Sequence, residues 1–310
     1  MSSKPSRQPR KEATIENTKI GFIGAGKLTE AIINGLCLYG KVDPRRIYVA
    51  APSSTNINRL KENFAGLNTT NANRHIFGRF DCDIIFIAVN GNVIRNLYKM
   101  GGTRPSPLCT NYIPNMKHPF FVMSLVTGFE IKCIKEILLN PEHPHKYMIA
   151  IHRLMINCAI AFAKGVAAAD VDPAGPKFPK VVFDLIKPLT LCFEYLSEAE
   201  MDAACALCGP GLAFSYYFIN AISDGALKIG LGRAVAIKFA AKTSKCASET
   251  LLKLGTVHPN ELKDEVCAPS SGAIYGCSIL DKADVASGVS GAVEAAHKRA
   301  MSLAREDHHI

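Results

Sequence analysis

The chain has 310 residues, 48% hydrophobic and 20% charged. That composition excludes a disordered chain, a collagen-like repeat and a small disulfide scaffold, and leaves material for one large or two ordinary domains. Lys plus Arg number 36 against 27 Asp plus Glu, a net charge of +9. Four of those basic residues, Lys4, Arg7, Arg10 and Lys11, come before the first acid, Glu12. The others are dispersed without an aromatic-rich basic stripe, so no nucleic-acid partner is expected and the surplus reads as a general attraction for anions.

Residues 1–18 are read as a flexible basic tail. Its serines suit a mitochondrial presequence, but Pro5 and Pro9 interrupt it and no apolar helical face follows, so a cytoplasmic location is expected with mitochondria as the alternative. The 11 cysteines fit a reducing compartment and are expected mostly as small core residues, the close pair Cys205 and Cys208 included. No spacing suggests a metal site.

From residue 19 to 196 apolar runs alternate with amphipathic stretches, which predicts a parallel sheet with crossover helices, a Rossmann-type domain. Strands are expected over 19–23, 46–50, 83–89, 120–125, 147–151 and 167–169, and helices over 29–39, 57–64, 131–139 and 180–189. From 197 to 310 the pattern turns helical, with Ser197 and Glu200 in capping-box spacing at the entry and long helices over 214–229, 233–254 and 287–304. The run 203–223 carries no charge. Gly209-Pro210-Gly211 and the polar Ser215, Asn220 and Ser223 argue against a bilayer span, so a loop leading into a buried helix is expected, with no membrane partner. The helices 233–254 and 287–304 are apolar all round, which predicts a partner subunit and hence a homo-oligomer.

Gly24-Ala25-Gly26 follows a predicted strand and opens a predicted helix, the context of a dinucleotide fingerprint, with Thr29 at its third position. The amides of Gly24, Ala25, Gly26, Lys27 and Leu28 are then the candidates for pyrophosphate binding at a helix N-terminus. The second strand ends in Ala50-Ala51-Pro52-Ser53-Ser54-Thr55-Asn56, with no carboxylate until Glu62. An acid there would bind the ribose hydroxyls of NAD; its absence admits NADP, whose 2′-phosphate would meet Ser53, Ser54, Asn56 and Arg59. The end of the 83–89 strand, Ala88-Val89-Asn90, completes the candidate cofactor contacts.

Further along come Arg153, Met155 and Asn157, then Asp202-Ala-Ala-Cys-Ala-Leu207, Asp224-Gly225 through Gly230-Leu231 to Arg233, His258-Pro259 through Leu262 to Asp264, and Ala292-Val293-Glu294-Ala295-Ala296. In order and spacing these segments resemble the pyrroline-5-carboxylate reductase family. The resemblance implies a Rossmann domain followed by an all-helical domain for substrate and dimerisation, and an oligomer built from dimers. It also implies reduction of 1-pyrroline-5-carboxylate to L-proline, in proline biosynthesis, by NADPH with NADH as the alternative. The protein would chiefly position the two molecules for hydride transfer.

The family's Ser-Pro-Gly-Gly-x-Thr loop reads here Ala268-Pro269-Ser270-Ser271-Gly272-Ala273, so its threonine is Ala273 and its Gly pair is Ser270-Ser271. Likewise Ala88-Val89-Asn90-Gly91 stands for Ala-Val-Lys-Pro, and Ala159 for a proline. The resemblance makes Pro269, Gly272 and Ala273 the substrate loop, with the Ser270 or Ser271 hydroxyl in place of the missing threonine donor. The departures favour a second reading, a catalytically weakened or inactive relative that acts as a nucleotide-binding or scaffold subunit.

Overall fold

The structure, a computed structural model, describes residues 14–94, 119–139, 142–143, 146–171 and 175–305. Most of the tail expected over 1–18 lies outside the described residues.

The chain divides into two compact units, one running to Cys205 and resuming at Arg299, the other spanning Ala206–Lys298. The first is built on β1 (Ile20–Ile23), α1 (Lys27–Leu38), β2 (Ile47–Ala50), α2 (Ser54–Asn63), β3 (Asn68–Thr70), β4 (Ile84–Ile87), β5 (Phe120–Ser124), α3 (Ile131–Leu138), β6 (Ile149–Ile156), β7 (Gly165–Asp170), α4 (Lys180–Ile186) and β8 (Thr190–Leu196). The strands form one sheet of eight in the order β3-β2-β1-β4-β5-β6-β7-β8. All neighbours are parallel except β6 and β7, where Leu154, Met155 and Ile156 face Ala169, Ala168 and Ala167 in antiparallel register. The sheet is thus mostly parallel, as the Rossmann-type reading expects, with one antiparallel pair near the β8 edge. A short 3-10 turn, Cys158–Phe162, with Ala163 at a left-handed φ of 52° reverses the chain there.

Every residue of β1 and β4 is buried, as strands covered on both faces must be. On one face Phe22 stacks on Phe86 at 5.0 Å, and Ile32, Ile33 and Leu36 of α1 pack with Leu60 of α2 and Val182, Leu185 and Ile186 of α4. On the other, Ile85, Ile87, Val122 and Ile151 pack against Ile76, Phe77 and the α3 residues Ile134, Ile137 and Leu138.

Sequence reading misses the outer strands β3 and β8. β3 is Asn-Thr-Thr without an apolar residue, and β8, Thr-Leu-Cys-Phe-Glu-Tyr-Leu, is apolar but interrupted by Glu194 and buries only Phe193. The expected helix over 180–189 ends at Ile186 and tightens into a 3-10 turn at Lys187–Leu189, where Pro188 removes an amide donor.

The rest of the chain is helical: α5 (Glu198–Cys208), α6 (Gly211–Lys228), α7 (Arg233–Leu254), α8 (Pro259–Val266), α9 (Gly272–Lys282) and α10 (Val285–Arg305). The entry signal of α5 is realised. Glu200 accepts from the Ser197 hydroxyl at 2.6 Å and from its amide at 2.9 Å, bonds that hold the Glu200 carboxyl below the ordinary range. In the second unit α6 packs on α7, yet Ser223 is the only buried residue of α6 and Ala236 and Ala240 are the only ones of α7. The helix expected to be buried after Pro210 is thus open in the single chain, with Tyr217 at 74% and Phe239 of α7 at 59% exposure. α5 and α6 together have the length and composition to cross a membrane, but the chain breaks at Gly209-Pro210, and so large an apolar face also suits a second subunit. The cysteines also depart from expectation: of those described, only Cys82 is buried.

Candidate functional site

β1 lies between β2 and β4, all three parallel, so the loops leaving their carboxyl ends converge at the point where strand order reverses. The turn after β1 is fixed by Gly24. Its φ is +108°, its amide donates to the Ala50 carbonyl at 2.8 Å, and a Cβ there would sit 2.3 Å from the Ala88 carbonyl oxygen. Only glycine fits. Gly26 caps α1 in extended conformation, and a Cβ on it would meet nothing within 4 Å. The space in front of the α1 amides is open, as a pyrophosphate cradle requires.

Thr29, at the third fingerprint position, is fully buried and donates its hydroxyl to the Gly24 carbonyl at 2.9 Å. This side chain braces the turn from below. The sequence signal was its place in the fingerprint; a bond to the first glycine is a role that Gly or Ala there could not play.

The loop after β2 delivers Ser53 as N-cap of α2, its Oγ accepting from the Asn56 amide at 3.4 Å, and no acid stands in the first turn of the helix. Arg59 reaches back from α2. Its guanidinium donates to Asn56 Oδ1 at 3.0 Å and to the Ala25 carbonyl at 3.4 Å, and pairs with Glu30 Oε2 at 3.2 Å. Glu30 also takes Lys27 at 3.2 Å and Asn63 at 3.1 Å. Ser53, Ser54, Asn56 and Arg59 thus stand beside the glycine turn, the cation held in place by a carboxylate on α1. Glu30 and Asn63 escape sequence reading because the ties joining the two helices are long-range.

Ala88, Val89 and Asn90 follow β4 directly. The Ala88 amide donates to Ile23 at 2.9 Å, and the Asn90 carbonyl accepts from Val93 and Ile94, starting a helical turn. Candidate residues from the three loops and the first turns of α1 and α2, Gly24, Ala25, Gly26, Lys27, Leu28, Ser53, Ser54, Asn56, Ala88, Val89 and Asn90, therefore lie at one edge of the sheet.

The other candidates belong to the second unit, Pro269, Ser270 and Ser271 in the link between α8 and α9, and Gly272 and Ala273 in the first turn of α9. There the Ser271 amide donates to the Ala268 carbonyl at 3.0 Å, closing a four-residue turn with Pro269 second and Ser270 third. Ser270 has φ +60°. Proline second and a positive φ third are the marks of a type II turn, whose third position favours glycine. Serine in place of the family's glycine is accommodated by strain on the order of 1–2 kcal/mol. Ser271 is the N-cap of α9, with Oγ accepting from the Ile274 amide at 3.4 Å. A hydroxyl that accepts in this way keeps its own proton to donate. Ala273, half-buried in the first turn of α9, has no polar side-chain atom.

Comparison with known proteins agrees with this organisation. The family model for pyrroline-5-carboxylate reductase dimerisation matches residues 198–303, and that for NADP oxidoreductase coenzyme F420-dependent matches residues 19–106. Pyrroline-5-carboxylate reductase 3 of Danio rerio is 32% identical over 285 residues, covering 92% of this chain and 91% of that protein. The pyrroline-5-carboxylate reductase of Methanosarcina acetivorans is 28% identical, covering 94% of this chain and 100% of its own. The fold is similar to that of Plasmodium falciparum pyrroline carboxylate reductase with NADP bound, at a TM-score of 0.76 and 23% identity over 93% of this chain and 99% of that one. From the identity to the Danio rerio protein along almost its whole length, the chain belongs to the pyrroline-5-carboxylate reductase family.

Proposed function

We propose that this chain reduces 1-pyrroline-5-carboxylate to L-proline with NADPH. The observation that carries the reading is the glycine turn at the reversal of strand order, with open space before the α1 amides and, beside it, an acid-free loop with Arg59 of α2 reaching back to it. In a member of this family that loop fits a 2′-phosphate better than it fits the free ribose hydroxyls of NAD. The Gly26, Lys27 and Leu28 amides take the pyrophosphate, while Ser53, Ser54, Asn56 and Arg59 take the 2′-phosphate. Bound there, the cofactor supplies the hydride that the imine carbon receives. Ser271 donates a hydrogen bond from its hydroxyl to the ring nitrogen as charge changes on it. The assembly is a homo-oligomer built from dimers, joined through the apolar helices matched by the dimerisation model.

Steady-state assays with pyrroline carboxylate and each nicotinamide cofactor test this, with a higher kcat/KM expected for NADPH than for NADH. One observation, the missing side-chain hydroxyl at Ala273, favours the second reading of a nucleotide-binding subunit without turnover. NADPH binding with no reduction by either cofactor would establish it instead.

A further inference from the structure

We propose that Cys267 and Cys277 form a reversible dithiol–disulfide site, oxidised by hydroperoxides, that closes a ring around the Ser270-Ser271 turn.

The sulfurs are 3.8 Å apart. Cys267 ends α8, its amide bonded to the Lys263 and Asp264 carbonyls, and Cys277 lies in the second turn of α9. The end of α8 and the second turn of α9 thus fix the pair, with the Ala268–Ser271 turn and the start of α9 between them. Closure to the roughly 2.05 Å of a disulfide asks for a sulfur movement of less than about 2 Å. Both thiols are half-buried, on the wall of a cavity of about 600 Å³ that Leu251, Leu262, Val266 and Ala273 also line. A peroxide molecule is small enough to enter it. Burial, first, and the hydrogen bond shared with Cys277 push the Cys267 thiol above its ordinary range. One thiol of the pair attacks as the thiolate and the other resolves the product.

The electrons balance with one hydroperoxide. One thiolate of the pair attacks the terminal peroxide oxygen, forming S–O and breaking O–O, and the departing alkoxide or hydroxide takes up a proton as alcohol or water. The other sulfur then attacks the sulfenic sulfur, S–S forms, S–O breaks, and hydroxide leaves with that second thiol's proton as water. Two thiols have lost two electrons to the O–O bond. A thiol reductant reverses the change by exchange.

Bond formation is independent of the proposed reductase activity; its effect on turnover rests on that reading. Both cysteines fall on the tryptic peptide Asp264 to Lys282, so the bond is read as the loss of two hydrogens on one peptide. The full chain is treated with hydrogen peroxide, blocked with N-ethylmaleimide and digested without reductant. The expected result is that peptide two hydrogens lighter, unblocked by maleimide, restored by dithiothreitol, and lost in Cys277→Ser. Recovery of the peptide with both thiols blocked, or with oxygens added and no bond, overturns the proposal, and the wild-type chain alone decides this if the variant misfolds. The oxidised enzyme should turn over at least about threefold more slowly than the reduced one, because a bridged loop cannot readjust around substrate. Equal rates in an active enzyme overturn the link to the loop. A bond that forms in a chain without turnover in either state supports the thiol pair and counts against the reductase reading.

Discussion

The guanidinium of Arg153 on β6 is paired, inside the protein, with the carboxylate of Asp202 on α5, and the same carboxylate oxygen accepts the Gly128 amide at 3.1 Å. Arg153 is 2% exposed. One acid therefore joins the strand, the loop after β5 and the first helix beyond the sheet. Both residues belong to segments that carry the family resemblance, yet nothing in their spacing reveals that they meet.

Removing the acid strands a buried cation. Asp202→Ala should cost about 3–5 kcal/mol, because the guanidinium loses its charge partner with no route to water. Asp202→Asn, which keeps an oxygen for the Gly128 amide, should cost less. Urea denaturation at fixed protein concentration measures both, and losses under about 1 kcal/mol would show the pair to be dispensable.

The two glycines of the nucleotide turn should fail differently. Gly24→Ala puts a Cβ 2.3 Å from the Ala88 carbonyl oxygen at a positive φ, so the fold itself should suffer. Gly26→Val projects into open space, so the protein should fold and lose NADPH binding. Circular dichroism separates the outcomes, and fluorescence titration reads affinity. A folded Gly26→Val that binds as the wild type does would refute the pyrophosphate assignment.

How much of this was legible in sequence depended on whether the cause was local. β1 and β4 are continuous apolar runs, and Gly24-Ala25-Gly26 sits between a strand and a helix, so they announce themselves. β3 does not, since Asn-Thr-Thr has no apolar run to read, and β8 does not because Glu194 interrupts its apolar residues and, at the sheet edge, only Phe193 of them is buried. The helix from Gly211 was legible as a helix, but its exposure was not, because apolar content does not distinguish a core from an uncovered interface. Ser270 is intermediate: its replacement of a family glycine is visible in sequence, whereas its φ of +60° is set by the turn that Pro269 and Ser271 close.

That strain predicts a sign. Ser270→Gly relieves about 1–2 kcal/mol of left-handed strain and returns about 0.5–1 kcal/mol through the freer unfolded chain, for a net gain of about 1 kcal/mol. Ser271→Ala removes the N-cap of α9 and should lose about 1 kcal/mol. Thermal melts of the two variants should move in opposite directions. A Ser270→Gly that lowers the melting temperature contradicts the type II turn.

The uncovered faces of α6 and α7 give an association prediction. With Tyr217 and Phe239 largely exposed in the single chain, sedimentation at micromolar concentration should find a dimer or larger assembly. Phe239→Glu should dissociate it. A monomeric wild type would leave these apolar faces without an account.

Ser271 is the side chain on which the proposed chemistry depends, and its two roles can be separated. As N-cap it accepts the Ile274 amide, and as catalytic donor it would give its proton to the substrate nitrogen. Ser271→Gly costs only a few tenths of a kcal/mol as a cap, since glycine is tolerated there, but deletes the hydroxyl. If that hydroxyl is the donor, kcat/KM should fall by at least roughly tenfold, about 1.4 kcal/mol of barrier, while the melting temperature barely moves. Ala273→Thr restores a hydroxyl in the first turn of α9, at the position where the family has one. It should recover rate in the Ser271→Gly background and do little in the wild type, because a bond that strengthens toward the transition state is already made there. The double variant Ser270→Ala, Ser271→Ala should be no slower than Ser271→Ala alone, since Ser270 is assigned to the turn and not to the substrate. Rates unchanged by Ser271→Gly, in an enzyme that reduces pyrroline carboxylate measurably, would remove the donor from this loop.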